Sequence, residues 1–341
     1  MRVTRESLIR IASETAQERA YNDSQIVAAY LTGSLRRDEP MLGGTTDIDL
    51  VFVHASVPAQ DRELVRLTPD FHLDIVHRSR DAYRSLRELR ADPWLGHEMY
   101  DPQLLFEREK FFEFVQAGLR AGFEFEAPPL TLERCRTLYS QARRLWLELS
   151  EPAGPAPMEA QLRRYLHVIY LAANAIAELT GPPLAERRLL LEFPQRAAAA
   201  GRERMQAALF GLLGASQLQS GQLDRWLPDW RIDFEAAASG ANADPRIHPA
   251  RLNYYEKAIR AMLGSESSLA ALWPLLQTWT LAANALHEEQ LKAWQSACTD
   301  LELLGSGFSE RTQGLDHFLD EIDLLLEEYG VANGLTASPL R

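Results

Sequence analysis

The hydrophobic period of this sequence changes once, at Pro128-Pro129, and that change constrains the fold more than any single motif. Before it, short β-favourable runs alternate with helical stretches. After it, almost every segment places apolar residues at i, i+3, i+4 spacing. The pattern predicts an α+β chain: a mixed domain over residues 1–128, an all-α helical bundle over 129–330, and a loose tail without period over 331–341. At 341 residues, 46% of them hydrophobic, the chain is long enough to bury a core in each domain.

In the mixed half, Leu8, Ile9, Ile11, Ala12, Ala16 and Ala20 fall at helical intervals after Thr4. Ile26–Thr32, Asp49–His54 and Phe71–Val76 read as strands, and the charged stretch 60–66 as helix. A helix over 79–92 is expected to stop at Pro93, followed by a short strand at 104–107 and a helix over about 107–121. Beyond the proline pair, helical period covers 131–149, 158–180, 202–215, 251–263, 266–289, 290–304 and 309–329, with proline-marked loops at 151–157 and 181–183.

Charge excludes some functions. The net charge is −12, shared evenly: residues 1–128 hold 16 Lys+Arg against 22 Asp+Glu, and the remainder 20 against 26. A chain that grips long DNA or RNA by its phosphates needs a basic surface, so no long nucleic acid is expected as partner; a small or cationic substrate, or a protein, fits better. No run approaches the roughly 20 apolar residues of a membrane helix, and the N-terminus has no signal-peptide core, so the expected location is cytoplasmic, without membrane contact. Cys135 and Cys298 are too few and too far apart to suggest a disulfide framework. A phosphate-binding loop ending in Lys-Ser or Lys-Thr is absent, and Leu291 stands where a zinc signature starting at His287-Glu288 needs its second histidine.

The chemistry concentrates between residues 33 and 49, GSLRRDEPMLGGTTDID, and around Asp74 in FHLDIVH. On a strand, residues i and i+2 face the same way, so Asp47 and Asp49 project together while Ile48 and Leu50 turn to a core. Two carboxylates so close resist joint ionisation unless a cation shares them, and magnesium, which takes hard oxygen ligands, is the natural partner. Asp74, between Leu73 and Ile75, repeats the design. If its strand lies beside the first, three carboxylates converge on a site for two ions about 3.5 to 4 Å apart. Gly33-Ser34, directly after an apolar run, suits a backbone turn that approaches a phosphate. Arg36 and Arg37 are placed to pair with triphosphate oxygens, or to serve as ordinary surface arginines. Glu98, Tyr100 and Asp101 read as turn and capping residues, with contact to an acceptor as the alternative.

In order, spacing and flanking hydrophobicity, LTGS, then twelve residues, then DID and later LDI resemble the DNA polymerase β-like nucleotidyltransferases. The resemblance covers residues 24–78 and says nothing specific about the helical half. It implies a nucleotidyltransferase domain with a small mixed sheet flanked by helices. It further implies that Gly33 and Ser34 hold the β- and γ-phosphates of an NTP, with ATP expected, that Asp47 and Asp49 bind two Mg2+ ions, and that Asp74 helps hold the ion nearer the acceptor and assists deprotonation of the attacking hydroxyl.

A mixed domain followed by a helical one is similar to the aminoglycoside nucleotidyltransferases. The expected reaction moves a nucleoside monophosphate to the hydroxyl of a small, aminoglycoside-like acceptor, with the helical domain shaping the acceptor pocket. Two alternatives stay open: transfer to a protein side chain, as in some toxin–antitoxin systems, and a non-catalytic NTP-binding sensor or scaffold. The resemblance is also compatible with a homodimer whose pocket is completed across subunits.

Overall fold

The computed structural model describes residues 3–125, 127–150, 157–240 and 244–335. The chain divides into two compact units, Met1–Ala127 and Pro128–Arg341.

The first unit is built on a five-stranded mixed sheet. Its strands are β1 (Ile26–Thr32), β2 (Thr46–His54), β3 (Arg62–Arg66), β4 (Phe71–Ser79) and β5 (Gln103–Glu107), in the order β3-β4-β2-β1-β5. β1 is antiparallel to β2 and β5, β2 is parallel to β4, and β3 is antiparallel to β4. Side-chain alternation gives the sheet two buried faces. Leu31, Ile48, Leu50, Phe52, Leu73 and Ile75 pack against α1 (Arg5–Asn22), which contributes Leu8, Ala12, Ala16 and Ala20. The four-residue spacing keeps these on one stripe, and the small alanines let the helix lie close to the sheet. Ala28, Tyr30, Val51 and Val53 face the other way, onto α2 (Leu86–Ala91), α3 (Leu95–Tyr100) and α4 (Phe111–Phe125) through Leu89, Met99, Phe112 and Leu119.

Three local expectations are corrected. Residues 60–66 do not form a helix: Arg62–Arg66 is β3, because Thr68-Pro69-Asp70 makes a turn in which the Leu67 and Thr68 amides both donate to Phe71 O at 3.0 Å, closing a hairpin onto β4. The helix expected over 79–92 breaks at Ser85, which leaves a short 3-10 turn and caps α2 by accepting from the Glu88 amide. The helix expected from 107 starts at Phe111, since Glu109 and Lys110 have φ of 60° and 55° and the Glu107 carboxylate accepts from the Phe112 amide at 3.0 Å.

The described residues of the second unit contain no strand. Its helices are α5 (Ala127–Ser150), α6 (Met158–Ala177), α7 (Leu189–Ala199), α8 (Arg204–Leu212), α9 (Gln222–Ala238), α10 (Leu252–Leu263), α11 (Leu272–Ala283), α12 (Lys292–Asp300) and α13 (Ser306–Ala332). Pro128 and Pro129 sit in the first turn of α5, where no intrahelical N–H is needed, rather than in a linker. α13 continues through Val331 and Ala332, past the expected end at 330; residues 336–341 of the expected tail, and 151–156 of the expected loop, lie outside the described residues.

Four tryptophans of this unit are fully buried, three of them with a hydrogen-bonded indole: Trp230 to Thr278 Oγ1 (2.9 Å), Trp279 to Asp233 Oδ2 (2.7 Å) and Trp294 to Thr280 Oγ1 (3.2 Å). The fourth is Trp273. These are core residues. Among the described residues, no helix is long and apolar enough to cross a membrane.

Candidate functional site

Alternation along β2 puts Asp47 and Asp49 on the face that carries Val51 and Val53 further down the strand. The parallel pairing of β2 with β4 sets Asp49 directly opposite Asp74, and the antiparallel pairing with β1 sets Thr32 opposite Asp49. One ligand oxygen from each of Asp47, Asp49 and Asp74 lies within 4.8 Å of the others. Asp47 and Asp74 are buried, at 6% and 2% exposure, and Asp49 is half-buried. The cluster thus rests on sheet register: a one-residue slip of β4 would turn Asp74 to the opposite face.

β1 leads straight into a 3-10 turn, Gly33–Arg36, that brings the backbone against this cluster. Gly33 has φ of +72°, and a Cβ built on it would lie 1.8 Å from Asp49 Oδ2. Glycine therefore satisfies two demands there, a left-handed backbone and a contact no side chain permits. The turn is held at both ends. The Ser34 hydroxyl is 2.5 Å from the Thr46 hydroxyl and reaches Asp47 Oδ1 at 3.5 Å, while Arg5 Nε donates to Leu35 O at 2.8 Å, tying the turn to α1. Gly43 and Gly44, with φ of 63° and 73°, reverse the chain before β2, and Leu42 and Thr45 close this turn by mutual backbone hydrogen bonds.

The two loop arginines are arranged differently. Arg36 is held at the end of α3, where Nε donates to Asp101 O and Nη2 to Asp101 Oδ2, both at 3.2 Å; Arg120 also reaches Asp101 Oδ1, at 3.4 Å. Arg37 ends the turn, its amide donating to Ser34 O at 3.0 Å. Glu98 is tied up nearby. Arg78 pairs with both of its oxygens, and the Tyr30 hydroxyl donates to Oε1 at 2.6 Å while sitting 2.8 Å from the Tyr83 hydroxyl. Burial, reinforced by the Glu98 charge, pushes the Tyr30 phenol well above its usual pKa, so it remains a donor. Tyr30 is two residues before Thr32 on β1, so this network floors the cluster from the helix side.

One site residue escapes sequence reasoning altogether. Arg62, the first residue of β3, forks onto Asp74: Nε donates to Oδ1 at 2.6 Å and Nη2 to Oδ2 at 2.5 Å. Its side chain is 40% exposed while that of Asp74 is 2% exposed. The Thr68-Pro69-Asp70 turn is the signal that could have revealed the strand, and hence the arginine's position beside Asp74.

The donor set suits a hard divalent cation: carboxylate oxygens close enough to share an ion, a hydroxyl at their edge, and a glycine turn packed against Asp49. No protein-family model matches the chain, and no curated protein matches it either.

Proposed function

We propose that the chain is a nucleotidyltransferase that moves a nucleoside monophosphate from an NTP to a hydroxyl acceptor and releases pyrophosphate. The observation that carries this reading is the convergence of Asp47, Asp49 and Asp74 beside the Gly33–Ser34 turn. In this reading Asp47 and Asp49 would hold two Mg2+ ions, and Asp74 would join them for the ion nearer the acceptor. Bound magnesium polarises the α-phosphate and neutralises charge developing on the leaving pyrophosphate. The amides of Gly33 and Ser34 and the Ser34 hydroxyl bind the β- and γ-phosphates. Asp74 Oδ1 or Oδ2 takes up the proton of the acceptor hydroxyl. ATP is the proposed donor, and the net charge of −12 favours a small polycationic acceptor of aminoglycoside type.

The test is pyrophosphate release from each NTP with Mg2+ over a panel of hydroxylated amines. Acceptor-dependent release is expected, falling by about 10²–10³-fold or more in Asp47→Asn and Asp49→Asn. A second reading, a nucleotide sensor, is favoured by one observation, the Arg62 fork that occupies both oxygens of Asp74. It expects Mg2+-dependent NTP binding with no pyrophosphate released for any acceptor, proteins in a cell extract included.

A further inference from the structure

The second unit contains a groove that its own packing leaves open. α8 and α13 are tied at two places: Arg311 Nη1 donates to Gly211 O at 2.7 Å, and Arg202, just ahead of α8, pairs with Glu328. Along this seam the two helices frame a groove of about 320 Å³. Its floor is apolar, made by the buried Met205, Leu212 and Phe318. Ala208, Gly211 and Gly314 complete it, and a Cβ at Gly211 would find no atom within 4 Å. Neither glycine has the positive φ that would demand one, and within a helix glycine is destabilising relative to alanine, so local structure does not account for the open space.

The rim is acidic. Glu310, His317 and Glu321 line it from α13, all three exposed, and none of their side chains makes a hydrogen bond or ion pair with the described residues. Arg311 is already paired with Glu302, at 2.8 Å, and α13 as a whole carries seven Asp or Glu against one Arg. At 1.5 Å of rise per residue, Glu310 and Glu321 stand about 16 Å apart along the helix, three turns. An apolar floor of that length between two helices is a seat for a third, amphipathic helix, whose side chains at i, i+4 and i+7 reach down between the walls. Its flanks must be basic to meet the rim. Anionic lipid surfaces and nucleic-acid phosphates carry the wrong sign. We propose that the α8–α13 groove docks a basic amphipathic helix of a partner protein, with apolar anchors on the floor and Lys or Arg against Glu310 and Glu321. The inference is independent of the acid cluster in the first unit.

The probe is a fluorescein-labelled synthetic peptide of leucine and lysine with leucines at i, i+4 and i+7 over three or more turns, its control a scrambled peptide of the same composition. Binding to the full chain is followed by anisotropy at about 0.1 M salt. Wild type is expected to bind the amphipathic peptide about tenfold more tightly than the scrambled one. Gly211→Gln puts a long side chain into the open space and replaces glycine by a better helix former; it is expected to weaken binding roughly tenfold while melting at or above the wild-type temperature. Glu310→Gln combined with Glu321→Gln removes both rim charges without touching the floor, and is expected to weaken binding several-fold and flatten its salt dependence. If Gly211→Gln melts lower than wild type, the rim variant carries the comparison. Equal affinity for both peptides, or for wild type and both variants, indicates diffuse attraction to an acidic chain and overturns the docking site, as does no binding at all. Self-association of wild type in sedimentation that Gly211→Gln abolishes gives the groove to a second copy of this chain and overturns the partner helix.

Discussion

Gly33 shows how narrowly a single residue conditions this site. Its backbone needs a left-handed conformation, and the space where a side chain would begin is already filled by the Asp49 carboxylate. Gly33→Ala is therefore expected to cost about 1–2 kcal/mol of stability from the φ penalty, and to weaken Mn2+ binding because Asp49 must move. Urea unfolding checks the first effect and metal titration the second; an unchanged Mn2+ constant would detach the turn from the cluster. At this scale the acids were readable because each is embedded in an alternating apolar run, so that the sequence itself says which way the side chain points. Arg62 was not, since its role depends on a partner twelve residues away across a hairpin, and RELVR alternates too weakly to announce a strand. Arg36 was readable as a residue of the loop, but its direction is set by Asp101, 65 residues further on, which no local pattern predicts.

Among the elements, the far side of the sheet carries a chain of polar contacts joining α1, β2, β3 and β4. Arg19 pairs with Glu63, whose Oε1 accepts from His77 Nε2 at 3.1 Å. His77 Nδ1 lies 2.9 Å from His54 Nε2, and His54 Nδ1 faces Asp23 at 3.8 Å. Burial, then the neighbouring His77 charge, lowers the His54 pKa below its ordinary 6.5, with Asp23 opposing. A base whose folded pKa is depressed gives stability that is present above pH 6.5 and lost as pH falls through the folded value, because the unfolded chain then binds the extra proton. Melting temperature is thus expected to decline between pH 7.5 and 5, with a shallower decline in His54→Gln; identical slopes would remove His54 from the account.

The elements missed from the sequence have physical causes. α7 and α9 contain Pro194 and Pro228 in their interiors, which ordinarily break the helical ladder, and tertiary packing of Leu190, Phe193, Trp230 and Phe234 overrides that local signal. By contrast β1 was read over Ile26–Thr32, because an unbroken β-favourable run buried on both faces leaves few alternatives.

For the molecule as a whole, the even spread of acidic charge bears on how substrate is met rather than on how the chain folds. If the acceptor is a polycation, its KM is expected to rise several-fold as ionic strength goes from about 0.05 to 0.5 M, where the screening length shrinks below the size of the site, with kcat little changed. A neutral acceptor would show no such dependence, so paired assays of a cationic and an uncharged hydroxyl compound decide between them.

The distribution of tryptophan has a separate consequence. Six of the seven lie in the second unit, four of them fully buried, whereas the first unit has only Trp94, which is 37% exposed. Indole emission therefore reports mainly on the helical half, and the first unit contributes through Trp94 and its tyrosines. A fluorescence melt and a metal-dependent melt followed at the acid cluster can thus be recorded on one sample as two distinct signals, one for each half of the chain.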